Sequence, residues 1–148
     1  MTKIKPLKNS PVFSNLSDKD LAIFSRIVSV EECTPDTVLL AENMKSESFY
    51  LIDEGEVLIS IAGGNSEEGL SLVDGESFGE WALLGPRHLS AVSARVMEPT
   101  KLLVVKLSDF EKFMEEEPAI ALKIQRQLLK LVWDSVDEVK DTIINNSD

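Results

Sequence analysis

Between Val28 and Lys106 the chain breaks into short apolar runs set apart by turn residues, and this alternation restricts the fold more than any other feature. The runs are TVLLA (37–41), SFYLI (48–52), EVLISIA (56–62), LSLV (70–73), AVSARV (91–96) and KLLVV (101–105). Between them lie Asp53-Glu54-Gly55, Gly63-Gly64-Asn65 and Asp74-Gly75-Glu76, each a credible turn. Val57, Ile59 and Ile61 alternate as one face of a strand. Many short strands at this spacing predict a β-sandwich or barrel, with the jelly roll in that set. No long helix interrupts them, which disfavours a parallel α/β sheet. Only Glu80 to Leu84 reads as a short helical insert.

Helical patterns flank this region. Ser17 is placed to cap free amides, Asp18 and Asp20 suit the positive end of a helix, and Leu16 can staple onto Leu21. Leu21, Phe24, Ile27 and Val28 then recur at helical spacing. After Lys106, Ser108-Asp109-Phe110-Glu111 reads as a capping box, and Pro118 behind three glutamates suits the first position of a new helix. Ile120, Ile124, Leu128, Leu131, Val132, Val136, Val139 and Ile143 make a stripe along roughly seven turns. The first half of that helix can dock on the β region, while the second half has little left to cover. The expectation is a homodimer through this C-terminal helix; the alternative is a helix folded fully back on its own barrel. The fold class expected is mainly β with flanking helices: a double-stranded β-helix or jelly-roll barrel, an N-terminal helix and a long C-terminal helix. At 148 residues this forms one domain, 1–148, with the β-roll at about 28–106 and the C-terminal helices at about 108–144.

Charge and inventory exclude several functions. The net charge of −11 repels nucleic-acid backbones and acidic membrane surfaces, and there is no basic stripe to offset it. Cys33 is the only cysteine, so no internal disulfide can form. No apolar run approaches a membrane span, and the basic start MTKIKPLKNS lacks a hydrophobic stretch behind it, so a cytoplasmic location is expected. His88 is the only histidine, against a multi-imidazole metal centre, and neither a Gly-x-Ser-x-Gly elbow nor a Walker loop nor a Rossmann fingerprint occurs. Asp74, Glu76 and Glu80 do not follow calcium-loop spacing. An enzyme is not expected, nor a resident cofactor or metal.

The segment SFGEWALLGPRHLSA (77–91) carries the functional signal: a glycine, a carboxylate, a short apolar run and a Pro-bearing loop leading to a small-residue pair. Together with PVFSNLS at the entry, FYLIDEGEV in the middle, LVDGESFGEWALL and LLVVKLSDFEKF, it resembles the cyclic nucleotide-binding domain, of the catabolite activator and protein kinase A regulatory subunit type, from about Pro11 to Leu131. The resemblance implies a non-enzymatic regulatory sensor for cAMP or cGMP. It implies that a short helix beginning near Gly79 aims backbone N–H groups at the cyclic phosphate. Glycine would let the main chain come close, and Glu80 would accept from the ribose hydroxyl. Gly79, Glu80 and Ala82 fit the pattern, as do Ser90 and Ala91. The phosphate-pairing arginine expected directly before that pair is absent; Leu89 stands there. Arg87 lies two residues earlier and, in an extended segment, would face the same side about 6–7 Å away. Two readings stay open: a sensor of a cyclic nucleotide or related phosphate-bearing ligand, and a vestigial pocket on a dimerisation or docking scaffold. Trp81 is expected to fill core, and Trp133 to sit in a dimer seam rather than over a base.

Overall fold

The computed structural model describes residues 3–41, 43–45, 47–61, 69–84, 90 and 92–145. In chain order the elements are α1 (Ile4–Asn9), a 3-10 turn (Pro11–Phe13), α2 (Asp18–Phe24), a second 3-10 turn (Ser25–Ile27), β1 (Ser29–Cys33), β2 (Val38–Leu40), β3 (Ser48–Glu54), β4 (Glu56–Ile61), β5 (Leu70–Val73) and β6 (Ser77–Phe78). Then follow α3 (Trp81–Leu84), β7 (Val92–Val96), β8 (Thr100–Lys106), α4 (Leu107–Glu116) and α5 (Pro118–Asn145). The strands form two antiparallel four-stranded sheets, ordered β1-β8-β3-β6 and β2-β7-β4-β5. The architecture is mainly antiparallel β with flanking helices, as the spacing predicts. It is a roll of two facing sheets rather than a closed barrel, because among the described residues no hydrogen-bonded ladder joins the edge strands of one sheet to those of the other.

Strand periodicity explains how the first sheet serves two cores. In β3, Phe49 and Leu51 point toward the helices while Ile52 and Tyr50 point toward the second sheet. In β8, Leu103 and Val105 take the helix side, and Leu102 and Val104 the inter-sheet side. Leu51 pairs with Leu103 and Tyr50 with Val104, so like faces coincide. A one-residue slip would turn both sets to the wrong side, which pins the register.

The N-terminal cap of α2 forms as the sequence indicates: Asp20 N–H donates to Ser17 Oγ at 3.1 Å, and Ser17 N–H to Asp20 Oδ2 at 3.3 Å. The capping box expected at Ser108–Glu111 does not form. Helix α4 starts two residues earlier than that cap implies, at Leu107, whose side chain is buried and whose N–H donates to Glu47 O at 2.8 Å; the residue before it, Lys106, makes no side-chain cap. A distant backbone carbonyl thus does what the local serine would have done.

Helix α5 begins at Pro118 as expected and buries Ile120, Ala121, Ile124 and Leu128 against the helix-side core. Polar links fix this half: Asn15 Nδ2 donates to Lys123 O at 2.9 Å, Gln127 Nε2 to Pro11 O at 3.1 Å, and Lys123 Nζ lies 2.9 Å from Asp20 Oδ2. Beyond Leu131 the helix does not fold back on the roll; Val132 to Ile144 are all exposed.

Candidate functional site

The candidate loop grows out of β6, which is held on the first sheet by pairing Tyr50 with Phe78 and Leu51 with Ser77. The rings of Tyr50 and Phe78 stack at 4.8 Å and 15°. Tyr50 OH reaches Leu39 O at 3.4 Å, and burial pushes its pKa up, so the hydroxyl stays protonated. The strand entering the loop is therefore a rigid platform.

Gly79 leaves that platform with φ of +78°, and a Cβ here would strike the carbonyl oxygen of Ser48 on β3. Both facts demand glycine at this position. The chain then turns into α3. Glu80 is half-buried, and its Oε1 accepts from Ser77 Oγ at 3.0 Å, which fixes where the carboxylate points. Ala82 is buried in the helix-side core, and its N–H donates to Gly79 O at 3.1 Å; Leu83 N–H donates to Glu80 O at 3.0 Å. The Ala82 amide, which the resemblance would aim at a ligand, thus already has a partner within the turn. Trp81, expected in the core, is 56% exposed because the four-residue helix turns Ala82 and Leu83 inward and Trp81 outward.

Ser90 closes the other end of the loop. It is buried, with N–H donating to Met44 O at 2.8 Å and carbonyl accepting from Asn43 N–H at 2.9 Å. Its hydroxyl donates to Val92 O at 2.7 Å and accepts from Val92 N–H at 3.2 Å. Ser90 therefore anchors the loop. Arg87, Leu89 and Ala91, with Pro86 and His88, lie outside the described residues, as does the Gly63-Gly64-Asn65 turn.

Sequence reasoning missed three groups that shape the loop. Ser77, three residues before Glu80, was readable in principle as a hydroxyl within reach of that carboxylate. The Ser48 carbonyl has no local signature. Gln125 on α5 donates from Nε2 to Leu83 O at 3.0 Å and lies 3.4 Å from Met114 Sδ, so one side chain joins α3, α4 and α5. Its signal is a polar residue between Leu122 and Leu129 on an otherwise apolar stripe. A cavity of about 350 Å³ lined by Glu47, Ser48, Lys106, Leu107 and Ser108 shares Ser48 with this region, but Gly79, Glu80, Ala82 and Ser90 are not among its lining residues. Among the described residues no cluster of three or more metal-ligating side chains occurs. Among the same residues, no helix is long and apolar enough to cross a membrane.

A family model described as the cyclic nucleotide-binding domain matches residues 30–117, which include the whole loop. The chain is similar to the cAMP-dependent protein kinase regulatory subunit of Hypocrea atroviridis, with 32% identity over 89 residues, 59% of this chain and 19% of that one. It is also similar to the Pycsar effector protein PaPycTIR of Pseudomonas aeruginosa, with 26% identity over 125 residues, 84% of this chain and 40% of that one. The chain spans 19–40% of the length of the curated relatives it matches. Among solved structures it is similar to the N-terminal domain of a transcriptional regulator from Streptomyces coelicolor A3(2), at TM-score 0.77 and 19% identity over 90% of this chain and 94% of that one. That last likeness bears on the fold alone.

Proposed function

The chain belongs to the cyclic nucleotide-binding domain family, and from that premise we propose that it is a non-enzymatic sensor module that takes a cyclic nucleotide, cAMP or cGMP, at the Gly79–Ser90 loop with low affinity. The observation that carries this reading is the loop's opening geometry. Gly79 occupies a conformation reserved for glycine against the Ser48 carbonyl, and Glu80 is oriented by Ser77 at the first turn of α3. A carboxylate fixed in this way suits a ribose hydroxyl. The name of the related kinase regulatory subunit points to the same ligand class.

The low affinity follows from Leu89. Removing one partner of a buried, charged hydrogen bond costs about 2–5 kcal/mol, which is roughly thirty- to several-thousand-fold in affinity. Arg87 supplies part of the missing charge if its guanidinium reaches the phosphate. The module pairs with a second copy through α5, whose exposed half carries apolar side chains. Titration calorimetry with cAMP and cGMP at millimolar concentration tests the ligand class: heat with either is expected, and no heat with both removes it. A second reading, a pocket that no longer binds on a dimerising scaffold, draws support from Leu89 and from the Ser90 hydroxyl being satisfied within the chain. Silence in the native chain with binding regained in Leu89→Arg would favour it.

A further inference from the structure

Each sheet ends in two edge strands, and the four edges differ in what they leave open. Strand β6 has two residues, and β2 has three with an irregular register. On β5, Val73 N–H donates to Glu76 Oε1 at 3.0 Å and Val73 O accepts from Glu76 N–H at 3.0 Å, which closes that edge. Strand β1 is five residues long and pairs with β8 without a bulge. Ile52 on β3 turns its N–H and carbonyl away from β8, to Glu76 O and Gly75 N–H. Antiparallel alternation therefore turns the Leu102 and Val104 main chains toward β1, where Glu31 and Ser29 meet them. Val30 and Glu32 are left with N–H and carbonyl groups directed outward, and among the described residues no other hydrogen bond reaches them. Two donors and two acceptors thus face solvent along an exposed, regular strand.

Charge decides what kind of strand fits this edge. Glu31, opposite Leu102, lies on the inter-sheet side, and Glu32, opposite Lys101, on the helix side. Lys101 stands in register between Glu32 and Glu54, but its Nζ lies 3.8 Å from Asp53 Oδ2, so one amine serves three carboxylates. Among the described residues Glu31, Glu32 and Glu54 have no ion-pair partner of their own. Glu32 and Glu54 both line a cavity of about 360 Å³ at the end of the strand, which has room for a long side chain. We propose that β1 takes up an extended segment of another protein as an added antiparallel strand, and that this segment carries two consecutive cationic residues followed by an apolar one. The cations lie opposite Glu32 and Glu31, one on each face, and the apolar residue lies opposite Val30, which is itself exposed. A second copy of this chain does not fit. Its sequence has no two adjacent Lys or Arg residues, and β1 centred against β1 sets Glu31 opposite Glu31.

The test uses the full chain and the acetylated, amidated peptide Ser-Thr-Lys-Arg-Val-Thr-Ser, with Ser-Lys-Thr-Val-Thr-Arg-Ser, of the same composition, as control. Calorimetric titration at low ionic strength is expected to show binding of the first peptide. The second, which sets only one cation against a glutamate and loses the apolar pair, is expected to bind about 2- to 30-fold more weakly. Glu31→Gln combined with Glu32→Gln is expected to weaken the first peptide by a similar factor. Val30→Pro removes an outward N–H that the ladder to β8 does not use, so it is expected to keep the fold and lose at least about 2-fold in peptide affinity. If Val30→Pro does not fold, the glutamine pair makes the same comparison. Hydrogen exchange reads strand addition directly: the Val30 and Glu32 amides exchange fast in the free chain and slow with the first peptide, while the Glu31 amide is slow in both. Absence of binding at about 1 mM peptide overturns the proposal. Equal affinity for the two peptides overturns the adjacent-cation requirement, and binding that leaves the Val30 and Glu32 amides unprotected overturns strand addition.

Discussion

Replacing Gly79 with alanine perturbs the loop at its origin, and the structure separates two penalties. The first is conformational: an L-residue held at φ of +78° costs about 1–2 kcal/mol. The second is steric, since the new Cβ meets the Ser48 carbonyl on β3, whose backbone is paired on both sides within the first sheet. Forcing a strand to yield in this way costs about 1–3 kcal/mol. Gly75 provides the internal control: its φ is +87°, but a Cβ there meets nothing within 4 Å. Gly75→Ala therefore carries the conformational penalty alone. In a chain of this length each kcal/mol lowers Tm by about 2–4 °C, so Gly79→Ala is expected to lose about 4–20 °C and Gly75→Ala about 2–8 °C. Differential scanning calorimetry on the two variants, with urea midpoints as a second probe, measures the difference. Equal losses in the two would refute the close approach of the Gly79 backbone to Ser48, and with it the claim that this glycine is dictated by geometry.

Three further outcomes are expected. Ser77→Ala releases the Glu80 carboxylate from its 3.0 Å hydrogen bond; losing about 0.5–1.5 kcal/mol of orientation should weaken cyclic nucleotide binding about 2- to 12-fold, and unchanged affinity would show that Glu80 needs no positioning. Gln125→Ala leaves Leu83 O without its side-chain donor, so urea denaturation should show a loss of about 1–3 kcal/mol and hydrogen exchange should speed up at α3 amides; a variant as protected as the native chain contradicts the link between α5 and α3. The hydrogen bond from Lys123, outweighing burial, holds the Asp20 carboxyl below its ordinary pKa, helped by Ser17. A lowered folded-state pKa stabilises the fold above the ordinary carboxylate value, and that increment disappears as pH falls through the folded-state value. The stability gap between the native chain and Lys123→Met should thus be largest near neutrality and shrink below about pH 4; a gap constant across that range would show that the pair contributes through packing alone.

What the sequence made legible was whatever leaves a periodic or local trace. The runs at 48–52 and 101–105 became strands whose alternate side chains are sorted between two cores, while those at 56–62 and 70–73 became strands that turn Val57, Ile59 and Leu72 to the inter-sheet core. Ser17 with Asp20 and Pro118 acted within one helical turn and were readable as such. Strand β1 was not foreseen: Ser29-Val30-Glu31-Glu32 is exposed along the edge of its sheet, and its pairing to β8 rests on backbone hydrogen bonds that place no demand on side-chain polarity. Strand β6 has two residues, too few for a period to register. Helix α1 rests on burial of Leu7 and has no acidic first turn or capping side chain to announce it. At the candidate site Gly79 and Glu80 were legible from residue type. The groups that position them were not, since the Ser48 carbonyl and the Gln125 amide come from positions 31 residues before Gly79 and 42 residues after Leu83.

On the proposed reading, affinity turns on Leu89 ahead of the anchored Ser90, and restoring the cation tests that reading most directly. Calorimetric titration of the native chain and of Leu89→Arg with the same cyclic nucleotide should give weak binding in the first and binding at least about thirty-fold tighter in the second. Native binding as tight as that of Leu89→Arg would contradict the account.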